Sequence, residues 1–205
     1  MSINKIGGNN TTIRKLEAGD VEALVSIWYR SICIAHNFLE KERLRELHQK
    51  MPEYLVVGND DTWVACIDGQ PVGFAIMDTK GGDCDGDDDD DEDDSVFNAA
   101  IQVMIETLMG DLPSIGALFV DPDMQGKGVG RILIEHVLEI QGKIYLEAYS
   151  NNTVAVDFYK HLGFKEVFRD VDDEYPRYKE FEYIGLYLSV SDYRKSASRK
   201  IGSQF

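Results

Sequence analysis

Three glycines stand at alternate positions in Gln125-Gly126-Lys127-Gly128-Val129-Gly130-Arg131, directly after an apolar run and directly before an amphipathic one. Glycines spaced this way strip side chains from a turn, so that backbone N–H groups can converge on an anion. A helix beginning there adds its own unpaired N–H groups and the positive end of its dipole. Such a nest suits a pyrophosphate, and Lys127 and Arg131 place positive charge beside it. Two common phosphate motifs fit poorly. A P-loop needs its lysine followed by Ser or Thr, and Lys127 is followed by Gly128. A dinucleotide fingerprint needs GxGxxG, and here the third glycine comes one residue early, with Arg131 in its place. Glu147 would be that reading's ribose-binding acid, yet the turn falls past the chain's midpoint, where too few βα units remain.

These residues need elements to hold them. Ile115-Gly116-Ala117-Leu118-Phe119-Val120 is almost wholly apolar and reads as a central strand feeding the glycine turn. A helix over 128–141, a strand over 143–148 and a helix over 153–161, stopped by Gly163, are expected to follow. Upstream, residues 12–16 alternate as a first strand. Asp20 reads as the N-cap of a helix with Val21, Leu24, Val25, Trp28, Ile32 and Ala35 on one face. A second helix is predicted over 40–50, ending before Pro52. Two apolar runs, 62–67 and 71–77, flank Asp68-Gly69 and predict a tight hairpin. Final strands are expected over 165–169 and 181–189. Residues 1–10 read as a disordered lead, 11–190 as one domain, and 191–205 as a frayed tail.

A chain of 205 residues with 43% hydrophobic content suits a single packed domain. No apolar run is long enough for a membrane span, and the polar start lacks the core of a secretion signal. Cys33, Cys66 and Cys84 are odd in number and lack CxxC spacing, which argues against disulfides and zinc and for a reducing cytoplasmic location. Ten acids between Asp83 and Asp94 carry much of the charge; setting them aside takes the formal net charge from −16 to −6. This balance argues against a nucleic-acid partner and suits a cationic small molecule or a basic peptide. The acidic run invites a calcium reading, with Asp83, Asp85, Gly86 and Glu92 at positions three, five, six and twelve counted from Gly81. Position one is then glycine and position eight is Asp88, so residues 79–112 read as a solvated acidic insertion ending in a short helix, with no metal expected.

Two segments together resemble a known family. Gln125-Gly126-Lys127-Gly128-Val129-Gly130 is similar to the Q/R-x-x-G-x-G/A motif of the GNAT acetyltransferase superfamily, and it follows a strand ending Leu118-Phe119-Val120-Asp121-Pro122 as in that family. Asn152-Thr153-Val154-Ala155-Val156-Asp157-Phe158-Tyr159-Lys160-His161-Leu162-Gly163-Phe164 resembles its second signature, N-x-x-A-x-x-F-Y-x-x-x-G-F. The hairpin ending Val72-Gly73-Phe74 is similar to the family's second and third strands. Ser31-Ile32 with His36-Asn37-Phe38-Leu39 resembles the first helix of small bacterial members.

The resemblance implies an α/β fold: a mixed, mostly antiparallel central sheet flanked by helices, with the acidic insertion before the fourth strand. It implies an N-acetyltransferase that moves an acetyl group from acetyl-CoA, its co-substrate, to a primary amine by direct attack in a ternary complex. No cysteine is placed to carry the acetyl group. The fourth and fifth strands of the family splay apart around the co-substrate. By resemblance, backbone groups of Leu118, Phe119 and Val120 hold its pantetheine and thioester. Gln125, Gly126, Lys127, Gly128, Val129, Gly130 and Arg131 hold its pyrophosphate, and Asn152 and Tyr159 approach the sulfur. Tyr159, a phenol with an ordinary pKa of about 10, is the implied acid for a thiolate whose conjugate acid lies near about 8.5 by analogy with cysteine. A core aromatic is the structural alternative for the same residue. Many relatives carry a basic glutamate on the fourth strand, where this chain has Ser114, Ile115 and Gly116, so His36 is the candidate base, with Glu106 and Asp111 behind it. Dimers are common in the family, which makes a homodimer an implied assembly. A non-catalytic CoA-binding regulatory module and a nucleotide-cofactor oxidoreductase are the alternative functions.

Overall fold

Apolar runs bounded by turn residues become strands, and runs with a 3.6-residue period become helices packed on their two faces. A computed structural model describes residues 3–6, 9–35, 41–56, 61–78, 112–171 and 182–202. Among these, the strands are β1 (Ile3–Ile6), β2 (Asn9–Lys15), β3 (Thr62–Ile67), β4 (Gln70–Asp78), β5 (Ser114–Val120), β6 (Lys143–Tyr149), β7 (Lys165–Val171) and β8 (Glu182–Ser189). They lie in one sheet in the order β1-β2-β3-β4-β5-β6-β8-β7. Neighbours are antiparallel except β5 and β6, which run parallel. The expected mixed, mostly antiparallel sheet is therefore the one found, with the strand called fourth above standing as β5.

The helices are α1 (Val21–Ala35), α2 (Lys41–Val56), α3 (Val129–Gln141), α4 (Thr153–Leu162) and α5 (Val190–Gly202). Two cores result. On one face, Leu24, Ile27, Trp28 and Ile32 of α1 and Leu44, Met51 and Leu55 of α2 meet Val64, Cys66, Phe74 and Ile76 of the sheet. On the other, Ile132, Leu133, Ile134, Val137 and Leu138 of α3 and Val156, Tyr159 and Leu162 of α4 cover Ile144, Leu146, Ile184, Leu186 and Leu188. Each fully buried aliphatic side chain contributes about 1.5–3 kcal/mol. The sheet is thus held from both sides wherever helices cover it.

Several elements depart from their predicted bounds. The lead is not wholly unstructured, because Ile3–Ile6 pairs antiparallel with Asn9–Thr12 as an edge strand. α2 runs through Pro52 to Val56. A proline inside a helix costs about 3 kcal/mol, but Met51 and Leu55 flank it and both are buried, which offsets the lost hydrogen bond. The tail forms α5. Its first turn is capped by Ser189 Oγ, which accepts from Asp192 N at 3.2 Å, and Val190 and Tyr193 pack on the core. Asp20 closes a short 3₁₀ turn rather than simply capping α1. Its carboxylate accepts from Glu17 N at 2.9 Å and pairs with Arg14 at 2.6 and 2.8 Å. The hairpin is as expected, with Asp68 and Gly69 at φ of 49° and 81°. The acidic insertion lies almost wholly outside the described residues.

Candidate active site

A single glycine bulge opens the sheet. Ile76 pairs with Ala117 and Met77 with Ile115, so Gly116 is the extra residue on β5 and has no partner on β4. A bulge bends its strand and sharpens its twist. Pairing of β5 with β6 stops at the same place: Ser114 faces Tyr145, Ile115 faces Leu146, and nothing beyond is joined. The two parallel strands then diverge, and a cavity of about 920 Å³ fills the gap.

The strand alternation decides which main-chain groups face that gap. Asp121 N donates to Val72 O at 2.9 Å, so Asp121 and, two residues back, Phe119 turn their main chain toward β4. Leu118 and Val120 turn theirs the other way, into the opening. The Val120 carbonyl is already taken there, by Ser31 Oγ at 2.7 Å and Gln125 Nε2 at 3.2 Å. The outward donors are therefore the N–H groups of Leu118 and Val120. Phe119 lines the cavity but spends its main chain on β4.

At the wide end stands the glycine loop. Gly126 and Gly128 have φ of 72° and 89°, a left-handed backbone that other residues adopt only with strain. Gly130 is needed for a different reason: a Cβ there would lie 3.1 Å from the Phe158 ring, so its absence lets α4 close on α3. Gly128 caps α3 without a side-chain hydrogen bond, and the first intrahelical bond runs from Ile132 N to Gly128 O at 3.1 Å. The amides of Val129, Gly130 and Arg131 thus form an uncapped helix N-terminus in the cavity wall. An anion fits this end. Arg131, also in the wall, lies 3.5 Å from Glu135, which in turn accepts from Tyr193 Oη. Lys127 is exposed on the crest, 3.5 Å from Met124 Sδ, and is not part of the lining.

The loop is tied down from outside. Arg30 of α1 reaches Asp121 at 2.8 Å and Asp123 at 2.7 Å, and Asp121 Oδ1 accepts from Asp123 N at 2.9 Å.

Asn152 and Tyr159 also line the cavity, on the side of β6 and α4. The Asn152 side-chain oxygen is occupied, accepting from Ala155 N at 3.2 Å as the cap of α4. Tyr159 is buried beside Phe158 and Phe164, at ring distances of 5.2 and 5.3 Å, and burial pushes its phenol well above the ordinary tyrosine value. It is a core aromatic and a cavity residue at once. His36, Glu106 and Asp111 lie outside the described residues.

One carboxylate also lines the cavity. Glu147 of β6 is in the wall just past the last paired residue and accepts from Tyr145 Oη at 2.6 Å. The alternation of β6 explains its position. Ile144 and Leu146 are buried under α3 and α4, so Tyr145, Glu147 and Tyr149 point to the opposite face. The signal in the sequence was an acid breaking an apolar strand, and it was legible only as a ribose ligand. A ribose ligand belongs to a doubly wound parallel sheet, whereas this sheet has one parallel pair.

Comparison with known proteins gives a consistent result. Residues 58–166 match the family model of the acetyltransferase (GNAT) domain. The chain is 31% identical over 163 residues to the peptidyl-lysine N-acetyltransferase YjaB of Salmonella typhimurium, covering 78% of this chain and 88% of that protein. It is 32% identical over 164 residues to the Escherichia coli YjaB, covering 79% and 88%. The solution structure of apo YjaB from Escherichia coli superposes with a TM-score of 0.61 at 31% identity, over 86% of this chain and 96% of that one. The coenzyme A complex of PaiA N-acetyltransferase from Thermoplasma acidophilum has a TM-score of 0.63 at 15% identity, over 87% and 98%, which is a likeness of fold.

Proposed function

The chain belongs to the GNAT acetyltransferase family, and from that premise we propose that it transfers an acetyl group from acetyl-CoA to a primary amine by direct attack, with a peptide lysine as acceptor. The observation that carries the reading is the bulge at Gly116. It parts β5 from β6 and leaves a cavity running from an uncapped helix N-terminus to a buried phenol. The lysine assignment is supported by the YjaB relatives, which are named peptidyl-lysine N-acetyltransferases.

Each residue then has a task. Amides of Gly126 to Arg131 receive the pyrophosphate, with Arg131 adding charge. The N–H groups of Leu118 and Val120 hold the pantetheine and stabilise the oxyanion that develops when the carbonyl is attacked. Bound acetyl-CoA supplies an acetyl group on a thioester and a thiolate as leaving group. Glu147 accepts a proton from the incoming ammonium, which makes the nitrogen a nucleophile, and passes it to solvent. Tyr159 donates its proton to the departing sulfur and is replenished by the second proton that the new amide nitrogen sheds. Acid and base act from opposite faces of the opening, since Tyr159, a residue of α4, packs on the sheet face that α3 and α4 cover and Glu147 points to the other. The free thiols Cys33 and Cys66 suit the cytoplasm, where acetyl-CoA is available.

The test is thiol release from acetyl-CoA with an Nα-blocked lysine peptide, alongside calorimetry with coenzyme A. Saturable binding and amine-dependent turnover are expected. Binding without turnover on any amine would leave a regulatory coenzyme A module instead, and no heat at all would overturn the site.

A further inference from the structure

The face of β6 and β8 opposite α3 and α4 carries a row of aromatic rings that ends in the cavity wall. Tyr149 and Tyr183 are cross-strand partners, stacked with ring centroids 4.6 Å apart and planes at 28°, and Tyr183 Oη donates to Tyr149 Oη at 3.0 Å. Both line the cavity, beside Glu147. Two residues along β6, Glu147 stands opposite Gly185, whose missing side chain leaves its place to a ring of the next strand. Phe168 of β7 lies over that glycine, and Tyr145 stacks on Phe168 at 6.2 Å. Across the opening, Ser31, Ile34 and Ala35 of α1 form the other wall. Tyr149, Tyr183 and Glu147 thus share one wall of the cavity, with the ring pair two residues along β6 from the carboxylate.

We propose that the stacked Tyr149–Tyr183 pair is the acceptor subsite, taking the aliphatic stem and ammonium of a peptide lysine and leading its nitrogen to Glu147. This inference rests on the acetyltransferase reading and deepens it. Ring faces attract an ammonium through their quadrupole, and a methylene stem packs on the same surface while its charged head reaches past. Two residues along a strand span about 7 Å, a distance that a four-methylene stem can bridge. An α-amine, mounted directly on a peptide backbone, has no stem to cross the pair. The ring pair therefore selects lysine over a peptide N-terminus, and Glu147 then accepts the proton that the ammonium must lose.

Steady-state thiol release with two Nα-blocked peptides tests this, one carrying a single lysine and one carrying ornithine, a methylene shorter. Tyr183→Leu is expected to raise KM for the lysine peptide about tenfold while KM for acetyl-CoA stays within about twofold. Tyr183→Phe keeps the ring face and is expected to retain the wild-type KM for peptide. The wild type should prefer lysine to ornithine, and Tyr183→Leu should lose that preference. If Tyr183→Leu unfolds, Tyr149→Leu carries the same expectation. An unchanged peptide KM in the leucine variant, an equal rise in KM for acetyl-CoA, or a phenylalanine variant as impaired as leucine would each overturn the subsite while leaving acetyl transfer standing. A wild-type protein that acetylates no amine would sink the acetyltransferase reading, and the subsite with it.

Discussion

In the proposed mechanism Tyr159 and Glu147 divide the proton transfers, and the two roles can be tested separately. Tyr159→Phe removes one oxygen from a buried ring, so packing should survive while kcat falls about 100-fold, with KM for acetyl-CoA little changed, as read by thiol release. Burial raises the phenol's pKa, so this acid stays protonated across ordinary assay conditions. The wild-type rate should therefore show no alkaline fall below pH of about 10. Glu147→Gln should lower kcat/KM about 100-fold near neutrality and recover as pH rises toward the lysine pKa of about 10.4, because more of the amine then arrives already neutral. A flat deficit at all pH values would argue that Glu147 positions rather than accepts. The two residues were not equally legible. The glycines were legible from the backbone conformation they permit, and Tyr159 from the resemblance of its string to the family's second signature. Glu147 acquires its role only because Gly116 bulges and the strands part, a consequence of pairing between segments distant in sequence.

At the scale of elements, two junctions bear weight. Asp20 joins β2 to α1 through its buried pair with Arg14, and that guanidinium holds the carboxyl below its usual range. The folded pKa is thus below the unfolded value of about 3.9, so the stabilisation is present above that pH and is lost as pH falls through the folded value. Asp20→Asn should cost about 1–3 kcal/mol at pH 7 in urea denaturation and lose less than the wild type on acidification from pH 5 to 3. The second junction is Arg30, which ties α1 to the front of the glycine loop through Asp121 and Asp123. Arg30 and Asp123 are exposed and Asp121 is half-buried, so Arg30→Ala should move the melting temperature little. It should raise KM for acetyl-CoA about threefold to tenfold by leaving the loop to be ordered on binding. Elements whose signals are local were foreseen well, as the Asp68-Gly69 hairpin and the Gly163 stop of α4 show. Those decided by tertiary burial were not. α2 continues past Pro52 because Met51 and Leu55 find the core, and α5 forms because Val190 and Tyr193 do.

The whole molecule sets the field in which both substrates arrive. Under the proposed function, a formal net charge of −16 would attract a basic peptide and repel acetyl-CoA, whose phosphates would then be gathered by the short-range amides of the glycine loop. Salt screens the two encounters in opposite senses, since the Debye length falls from about 30 Å at 0.01 M to about 10 Å at 0.1 M. KM for a lysine peptide flanked by basic residues should therefore rise several-fold between low and physiological salt. KM for acetyl-CoA should fall or stay level, because long-range repulsion weakens faster than contacts made inside the cavity. A peptide of the same length flanked by neutral residues should show a much shallower rise, which separates steering by net charge from recognition of the lysine itself. If both peptides respond alike, or if KM for acetyl-CoA climbs with salt as steeply as that for peptide, the acidic surface takes no part in gathering the acceptor. Selection would then rest on the walls of the opening between β5 and β6 alone.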